Sequence, residues 1–197
     1  MMDLSKRSLQ KIENIKMAGR KLFNQYGFNR VTMDNIIQDS GVSRGTLYKY
    51  FEDKQDLYET IVMDIYNVER DLFKSIMDND DAFLNKIKSI IEIRVNKYTE
   101  THQKFFEDHF VRSEKLNSFM SEYIQDVQDM RKHLYAEGRK QGYISNTILD
   151  TTLELYFDII QKGLSQKYHQ LSEMPKNDLT NVLSLIYAGM VSTDQEK

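Results

Sequence analysis

The chain has 197 residues, enough for one extended domain or two small ones. It contains one proline and eight glycines, and such a low content of helix-breaking residues favours helix nearly throughout. The lack of cysteine excludes a disulfide framework, and the lack of a signal peptide or of an apolar run near ~20 residues predicts a soluble, cytoplasmic protein with no membrane partner. The net charge of −3, taken alone, argues against a partner as acidic as DNA.

The first predicted element is a helix from about Ser5 or Ser8 to Tyr26, which Gly27 ends. Most of its Lys and Arg residues lie off one apolar face, so we expect an amphipathic helix that packs through that face. The residues of the face recur at helical spacing: Ile12, Ile15, Gly19, Leu22, Phe23 and Tyr26.

The next segment predicts two short helices separated by a tight turn. Thr32 is a suitable N-cap for a helix that Gly41 ends, because glycine readily adopts the left-handed conformation of a helix stop. Ser43 caps a second helix of barely two turns, which is too short to stand alone in water. It persists only if Leu47 and Phe51 are buried, which leaves its other side chains pointing outward. This is the pattern of a helix-turn-helix with a recognition helix.

The second helix and its flanks read Gly41-Val42-Ser43-Arg44-Gly45-Thr46-Leu47-Tyr48-Lys49-Tyr50-Phe51, followed by Lys54 and Leu57. This run resembles the DNA-binding region of the TetR family of one-component transcriptional repressors. The resemblance covers roughly the first third of the chain. It implies a three-helix DNA-binding head over residues 1–53, followed by a regulatory and dimerisation domain over residues 54–197.

The resemblance and the side-chain chemistry together give nine candidate DNA-binding residues. Arg44 and Lys49 can supply charge to phosphates, and an arginine can also fork onto a guanine edge. Gly45 allows the backbone to approach the duplex closely. Thr32 and Ser43 cap helix N-termini, which favour anions. Thr46 can reach a base edge. The resemblance aligns the remaining three candidates with family positions that contact phosphates: Tyr48, Tyr50 and Lys54. The alternative for Tyr50, and for part of Tyr48, is an ordinary core aromatic.

The distribution of charge along the chain changes what the whole-chain value implies. Residues 1–54 hold ten Lys and Arg against six Asp and Glu, so they carry +4, whereas residues 55–197 carry −7. A basic N-terminal region on an acidic remainder presents one end of the molecule to phosphates.

Beyond the head, the spacing of apolar residues predicts helices over about 54–77, 81–99, 102–110, 114–140, 147–170 and 177–191. The expected fold is therefore all-α, with about nine helices. In the family, the first of these helices links the head to the regulatory domain, so its tilt can carry a signal.

The last two helices hold more apolar surface than one small core can use. The resemblance supplies a partner for this surface, because two family members pair through these helices into a homodimer that matches a palindromic operator. The alternative is a purely intramolecular core. The residues expected at the dimer interface are Leu153, Phe157, Ile160, Leu164, Leu183, Ile186 and Met190.

Aromatic side chains are concentrated in the helices that the family wraps around a ligand cavity. Aromatics and methionine form adaptable apolar walls, and tyrosine hydroxyls add polar anchors. The candidate ligand-binding residues are Tyr98, Phe105, Phe106, Phe110, Tyr123, Met130 and Tyr156. The alternative is an ordinary core, and no ligand identity follows.

Other chemistry has little support in the sequence. His102 and His109 are seven residues apart, but no tight histidine motif of a metal site is present. There is no Gly-rich phosphate loop and no nucleophile motif. We therefore expect no metal, no cofactor and no enzymatic activity.

The sequence favours a homodimeric repressor that binds double-stranded DNA and is released from a palindromic operator by an unknown small-molecule effector. Two other classes stay open. One is an effector-independent architectural or division-site factor built on the same DNA-binding head. The other is an enzyme or helical scaffold whose head no longer binds DNA.

Overall fold

The all-α prediction is confirmed. A computed structural model describes residues 5–100 and 113–191, and within these ranges the chain forms nine helices and no strand. None of the described helices is both long and apolar enough to cross a membrane. The helices are α1 (Lys6–Tyr26), α2 (Met33–Ser40), α3 (Arg44–Tyr50), α4 (Lys54–Asp78), α5 (Phe83–Glu100), α6 (Glu114–Lys140), α7 (Asp150–Gln166), α8 (Tyr168–Ser172) and α9 (Lys176–Ala188).

The prediction of a single helix over 147–170 is wrong. Residues 145–148 form turns instead, in which the Ile148 N–H donates to the Ser145 carbonyl at 3.2 Å, and α7 begins only at Asp150. Lys167 leaves the helical region of backbone conformation, with φ −101° and ψ 13°, and so separates α7 from α8. The helix predicted over 102–110 lies outside the described residues.

The chain forms two compact units, and it passes from one to the other between Tyr66 and Asn67, within α4. The first unit comprises described residues 5–66 and 113–117, and the second comprises described residues 67–100 and 118–191. The domain boundary expected between residues 53 and 54 stays a prediction.

The first unit is built around α1, which contacts both α2 and α3. Its core contains an aromatic cluster in which the Tyr58 ring lies edge-on to Phe23 and Phe28, with centroid distances of 5.4 and 5.1 Å. Gly19 lets α1 approach the first part of α4, because a Cβ there would lie 2.8 Å from the Ile61 Cδ1 atom. These contacts fix the frame on which α2 and α3 are mounted.

The second unit buries charged groups as well as apolar ones, and it pairs them. The Lys86 ammonium donates to the Glu137 carboxylate at 2.8 Å and to the Met77 carbonyl at 3.1 Å. Buried Glu69 pairs with Lys97 at 2.6 Å. Such pairing is required because an isolated charge in an apolar interior is costly. The apolar core that surrounds these pairs includes Phe83, Ile87, Ile90, Leu134, Leu153, Leu164, Leu179 and Leu183.

Candidate nucleic-acid interface and interior cavity

The turn between α2 and α3 is set by local hydrogen bonds. The Thr32 hydroxyl accepts from the Asn35 N–H at 3.2 Å, and the Asn35 side chain accepts from the Thr32 N–H at 3.0 Å, which together form a capping box. Gly41 ends α2 in the left-handed region, at φ 67°. The Ser43 hydroxyl then caps α3 by accepting from the Thr46 N–H at 3.2 Å. Both predicted caps are therefore present.

Helix α3 is held in place by the burial of apolar side chains on one of its sides. It has seven residues, and Leu47 is fully buried while Phe51 just beyond it is 4% exposed. A helix this short owes its stability to such burial. Gly45 faces open space, since a Cβ there would meet no atom within 4 Å. The remaining candidates of this helix divide into the exposed Arg44, Tyr48 and Lys49 and the half-buried Thr46 and Tyr50.

The exposed cations of α3 have weak local partners. The Arg44 guanidinium pairs with the Asp34 carboxylate, and both side chains are mostly exposed. The Lys49 ammonium lies 5.4 Å from the centroid of the Tyr50 ring. Exposed ion pairs contribute about 0–1 kcal/mol to the free energy of unfolding, so little stability is lost when Arg44 leaves Asp34 to bind a phosphate. This surface can therefore present two cations to a nucleic acid.

Lys54, in contrast, is directed into the first unit. Its ammonium donates to the carbonyls of Phe28 and Val31, both at 2.8 Å, and lies 4.2 Å from the centroid of the Phe28 ring. Burial lowers the pKa of this group from its ordinary value. Two of its three donors are thereby occupied. The structure gives Lys54 a role in holding the loop after α1, and a phosphate contact stays a prediction.

The residues expected at a dimer interface lie mostly in the core of a single chain. Ile160 and Ile186 are half-buried, and the other five are buried: Leu153, Phe157, Leu164, Leu183 and Met190. Their burial requires no second copy, and their place between two subunits stays untested. The apolar side chains that α7 and α9 leave exposed are different ones: Leu155, Ile159 and Leu185, at 62%, 61% and 74% exposure.

A narrow cavity of about 40 Å³ lies inside the second unit, between α4, α5, α6, α7 and α9. Its apolar walls are Phe73, Met77, Ile90, Val127, Met130, Leu134 and Phe157. Three polar side chains also reach it, namely Arg94, Arg131 and Tyr187. The Arg131 guanidinium is neutralised by Glu154 at 2.5 Å.

Of the predicted ligand-binding set, Met130 lines this cavity and the other described members lie elsewhere. Tyr98 packs on Tyr168 with ring centroids 4.9 Å apart, Tyr123 is buried, and the Tyr156 hydroxyl donates to the Ile186 carbonyl at 2.5 Å. Three further members lie outside the described residues: Phe105, Phe106 and Phe110.

Arg94 was not among the residues predicted to bind a ligand, because that prediction followed the aromatic side chains. This arginine follows Ile87, Ile90 and Ile91 at helical spacing, which places a charge on the apolar face of α5. A search for charges on apolar faces would have found it.

No metal site is found in the described ranges, 5–100 and 113–191, where no group of three or more His, Cys, Asp or Glu could hold an ion. His102 and His109 fall outside these ranges.

Comparisons with known proteins agree with this geometry. Residues 15–61 match a family model described as bacterial regulatory proteins, tetR family. An HTH-type transcriptional regulator of Staphylococcus aureus (strain bovine RF122 / ET3-1) is 25% identical over 136 residues, which are 67% of this chain and 71% of the relative.

Two solved structures have a similar fold. One is regulatory protein TetR from Rhodobacter sphaeroides, with a TM-score of 0.71 at 14% identity, over 91% of this chain and 98% of that one. The other is FadR from Bacillus subtilis in complex with stearoyl-CoA, with a TM-score of 0.69 at 16% identity, over 90% of this chain and 98% of that one. At these identities the likeness establishes the fold alone.

The inward role of Lys54 can be tested by unfolding in urea, followed by circular dichroism. Lys54→Met removes the ammonium that donates to the Phe28 and Val31 carbonyls, which should lower the free energy of unfolding by about 1–3 kcal/mol. Lys49→Met, at an exposed lysine, is the matched control and should change it by less than about 0.5 kcal/mol. Equal stability of the two variants would contradict the structural role.

Proposed function

The chain belongs to the TetR family of bacterial transcriptional regulators, and we propose that it is a repressor that occupies a palindromic operator and leaves it when a small molecule binds the second unit. The family and the relatives are regulators, not enzymes. The observation that carries the proposal is the outward face of α3, which is held in place by buried Leu47 within a doubly capped helix-turn-helix.

In this proposal, each exposed group of the helix-turn-helix has a separate role at DNA. Lys49 and Tyr48 contact phosphates, and Arg44 exchanges Asp34 for a phosphate or a guanine edge. Gly45 lets the backbone approach the duplex, since nothing occupies the space beside it. Thr32 and Ser43 orient helix N-termini whose free N–H groups favour anions.

The role of α3 can be tested by substitutions that leave the core untouched. Lys49→Ala and Tyr48→Ala should each weaken binding to a genomic fragment selected by the protein at least about tenfold, because each removes a contact to a charged phosphate. Loss of the lysine should also reduce the slope of log affinity against log salt by about one unit. Binding is measured by fluorescence anisotropy at several salt concentrations.

The matched control is Lys88→Ala, which removes an exposed lysine from α5 in the second unit. It should leave affinity and salt slope unchanged. Wild-type affinity of both α3 variants at matched salt would remove α3 from DNA binding.

A homodimer is proposed because a two-fold molecule can place two recognition helices in successive major grooves, about 34–36 Å apart. The exposed residues Leu155 and Ile159 on α7 and Leu185 on α9 support an interface through these two helices. Large apolar side chains left in water by a single chain are the surface that a second copy can cover.

Replacing Ile159 by glutamate should therefore produce folded monomers. Ile159 is 61% exposed in a single chain, so the carboxylate need not enter the core, whereas burying it unpaired between subunits costs several kcal/mol. Ile124→Glu is the control, because Ile124 on α6 is 51% exposed and apolar too, and this variant should stay dimeric. Sedimentation velocity at micromolar concentration gives the oligomeric state, and a stable Ile159→Glu dimer would place the interface elsewhere.

Release by an effector is proposed from the cavity and from the path of α4. A cavity of about 40 Å³ holds a few waters, whereas ligand sites commonly measure ~300–1,000 Å³, so a ligand must push the walls apart. Helix α4 lines the cavity with Phe73 and Met77, and its earlier residues Leu57 and Tyr58 belong to the core of the first unit. Displacing α4 is thus a route from ligand to DNA-binding helices. The similar FadR structure holds stearoyl-CoA, which supports a ligand site in this fold.

Release also has a thermodynamic requirement. A ligand can empty the operator only if it binds the DNA-free conformation more tightly, and ~100-fold release needs about 2.7 kcal/mol of coupling. By reciprocity, operator DNA must weaken ligand binding by the same factor.

The small cavity also favours a second candidate function, an architectural DNA-binding factor without an effector. A second unit that is already packed is the state such a factor needs. Ligand binding to the full chain separates the two candidates.

A further inference from the structure

The cavity wall contains an arginine, Arg94, that no carboxylate of the described residues pairs with. Arg94 is half-buried on the inward face of α5, one turn after Ile90 and Ile91, and its guanidinium lies 5.8 Å from the centroid of the Phe73 ring. Most positions on this face hold aliphatic or aromatic residues, because they pack into the core. A charged residue kept at such a position is costly unless an anion or a set of hydrogen bonds compensates it.

The partners of Arg94 compensate it only in part. Its Nε donates to the Tyr187 hydroxyl at 3.0 Å, and its Nη1 donates to the Gln161 side chain at the long distance of 3.4 Å. A guanidinium has five N–H donors, so three have no acceptor among the residues that the structure describes. No carboxylate of residues 5–100 or 113–191 lies within ion-pair distance of Arg94.

The neighbouring charged residues do not cancel the positive charge of Arg94. Arg131, the other arginine of the wall, is neutralised by Glu154 at 2.5 Å, and Glu69 is engaged by Lys97 at 2.6 Å. Tyr187 and, less strongly, Glu69 raise the pKa of Arg94 above its ordinary value despite the opposing effect of burial, so the guanidinium stays charged. The described part of this wall therefore carries one uncompensated positive charge beside an apolar space.

We propose that the cavity binds an apolar ligand that ends in a carboxylate, and that Arg94 and Tyr187 bind this carboxylate. The inference rests on the proposed ligand-controlled function and names the class of its effector. Arginine presents two parallel N–H donors that match the two oxygens of a carboxylate. The Tyr187 oxygen accepts from Arg94 and keeps its own proton to donate to the ligand.

The charge and the walls select a monoanion with a slender tail. The one positive charge left unmatched in the described part of the wall balances one carboxylate, whereas a phosphate dianion would carry a second negative charge into the same apolar space. Met77 and Met130 in the wall have flexible, polarisable side chains that can move aside for an alkyl chain. The tail is expected to enter between them as the cavity widens.

The test compares three probes of equal length on the full chain by isothermal titration calorimetry, namely octanoate, 1-octanol and octylamine. Octanoate should bind one per chain and at least tenfold more tightly than 1-octanol, and octylamine should bind more weakly than either. Arg94→Gln should abolish the preference for the acid while it keeps the affinity for the alcohol. Lys88→Gln removes the same charge from an exposed position of α5 and should keep the preference.

The comparison of octanoate with 1-octanol in the wild-type chain needs no variant, so it tests the preference for a carboxylate even if Arg94→Gln fails to fold. Equal affinity for acid and alcohol, failure of octanoate to bind, or an acid preference that survives in Arg94→Gln would each overturn the assignment.

Repeating the titration with a selected operator fragment separates the ligand class from the release mechanism. Equal affinity for octanoate with and without DNA would contradict the release mechanism but not the carboxylate site. Release of DNA by 1-octanol but not by octanoate would contradict the carboxylate site but not the release mechanism.

Discussion

The burial of Leu47 is the interaction on which the DNA-facing surface depends. Helix α3 has seven residues and cannot persist in water by itself, so its position is fixed by Leu47, by Phe51 and by the cap at Ser43. Because these groups occupy one side of the helix, Arg44 and Lys49 are left on the other side. The core of the first unit and its outward chemistry are thus two consequences of the same packing.

The second unit is organised by the pairing of its buried charges. Lys86 with Glu137 and Arg131 with Glu154 satisfy the requirement that a charge removed from water meets an opposite one. Arg94, at the wall of the cavity, departs from this pattern, because no carboxylate within residues 5–100 or 113–191 pairs with it. The same physical rule that explains the pairs therefore identifies the position where a ligand has most to contribute.

The parts of the fold that local chemistry determines could be predicted from the sequence. Thr32, Gly41 and Ser43 carry cap and turn signals within a few residues, and the helix-turn-helix follows from them. The role of Lys54 could not be predicted, because its acceptors are carbonyls 23 and 26 residues earlier in the chain. Which apolar stripe of α7 faces its own core also depends on packing against distant helices, so Leu153 and Leu155 could not be told apart by periodicity.

The most direct test of sequence-specific DNA binding is selection of genomic fragments by the purified protein, followed by sequencing of the fragments that it retains at physiological salt. We predict a small set of fragments that share an inverted repeat, with half-site centres separated by about one helical turn or a multiple of it. Retention of fragments with no shared sequence, or retention that Lys49→Ala leaves unchanged, would contradict this role.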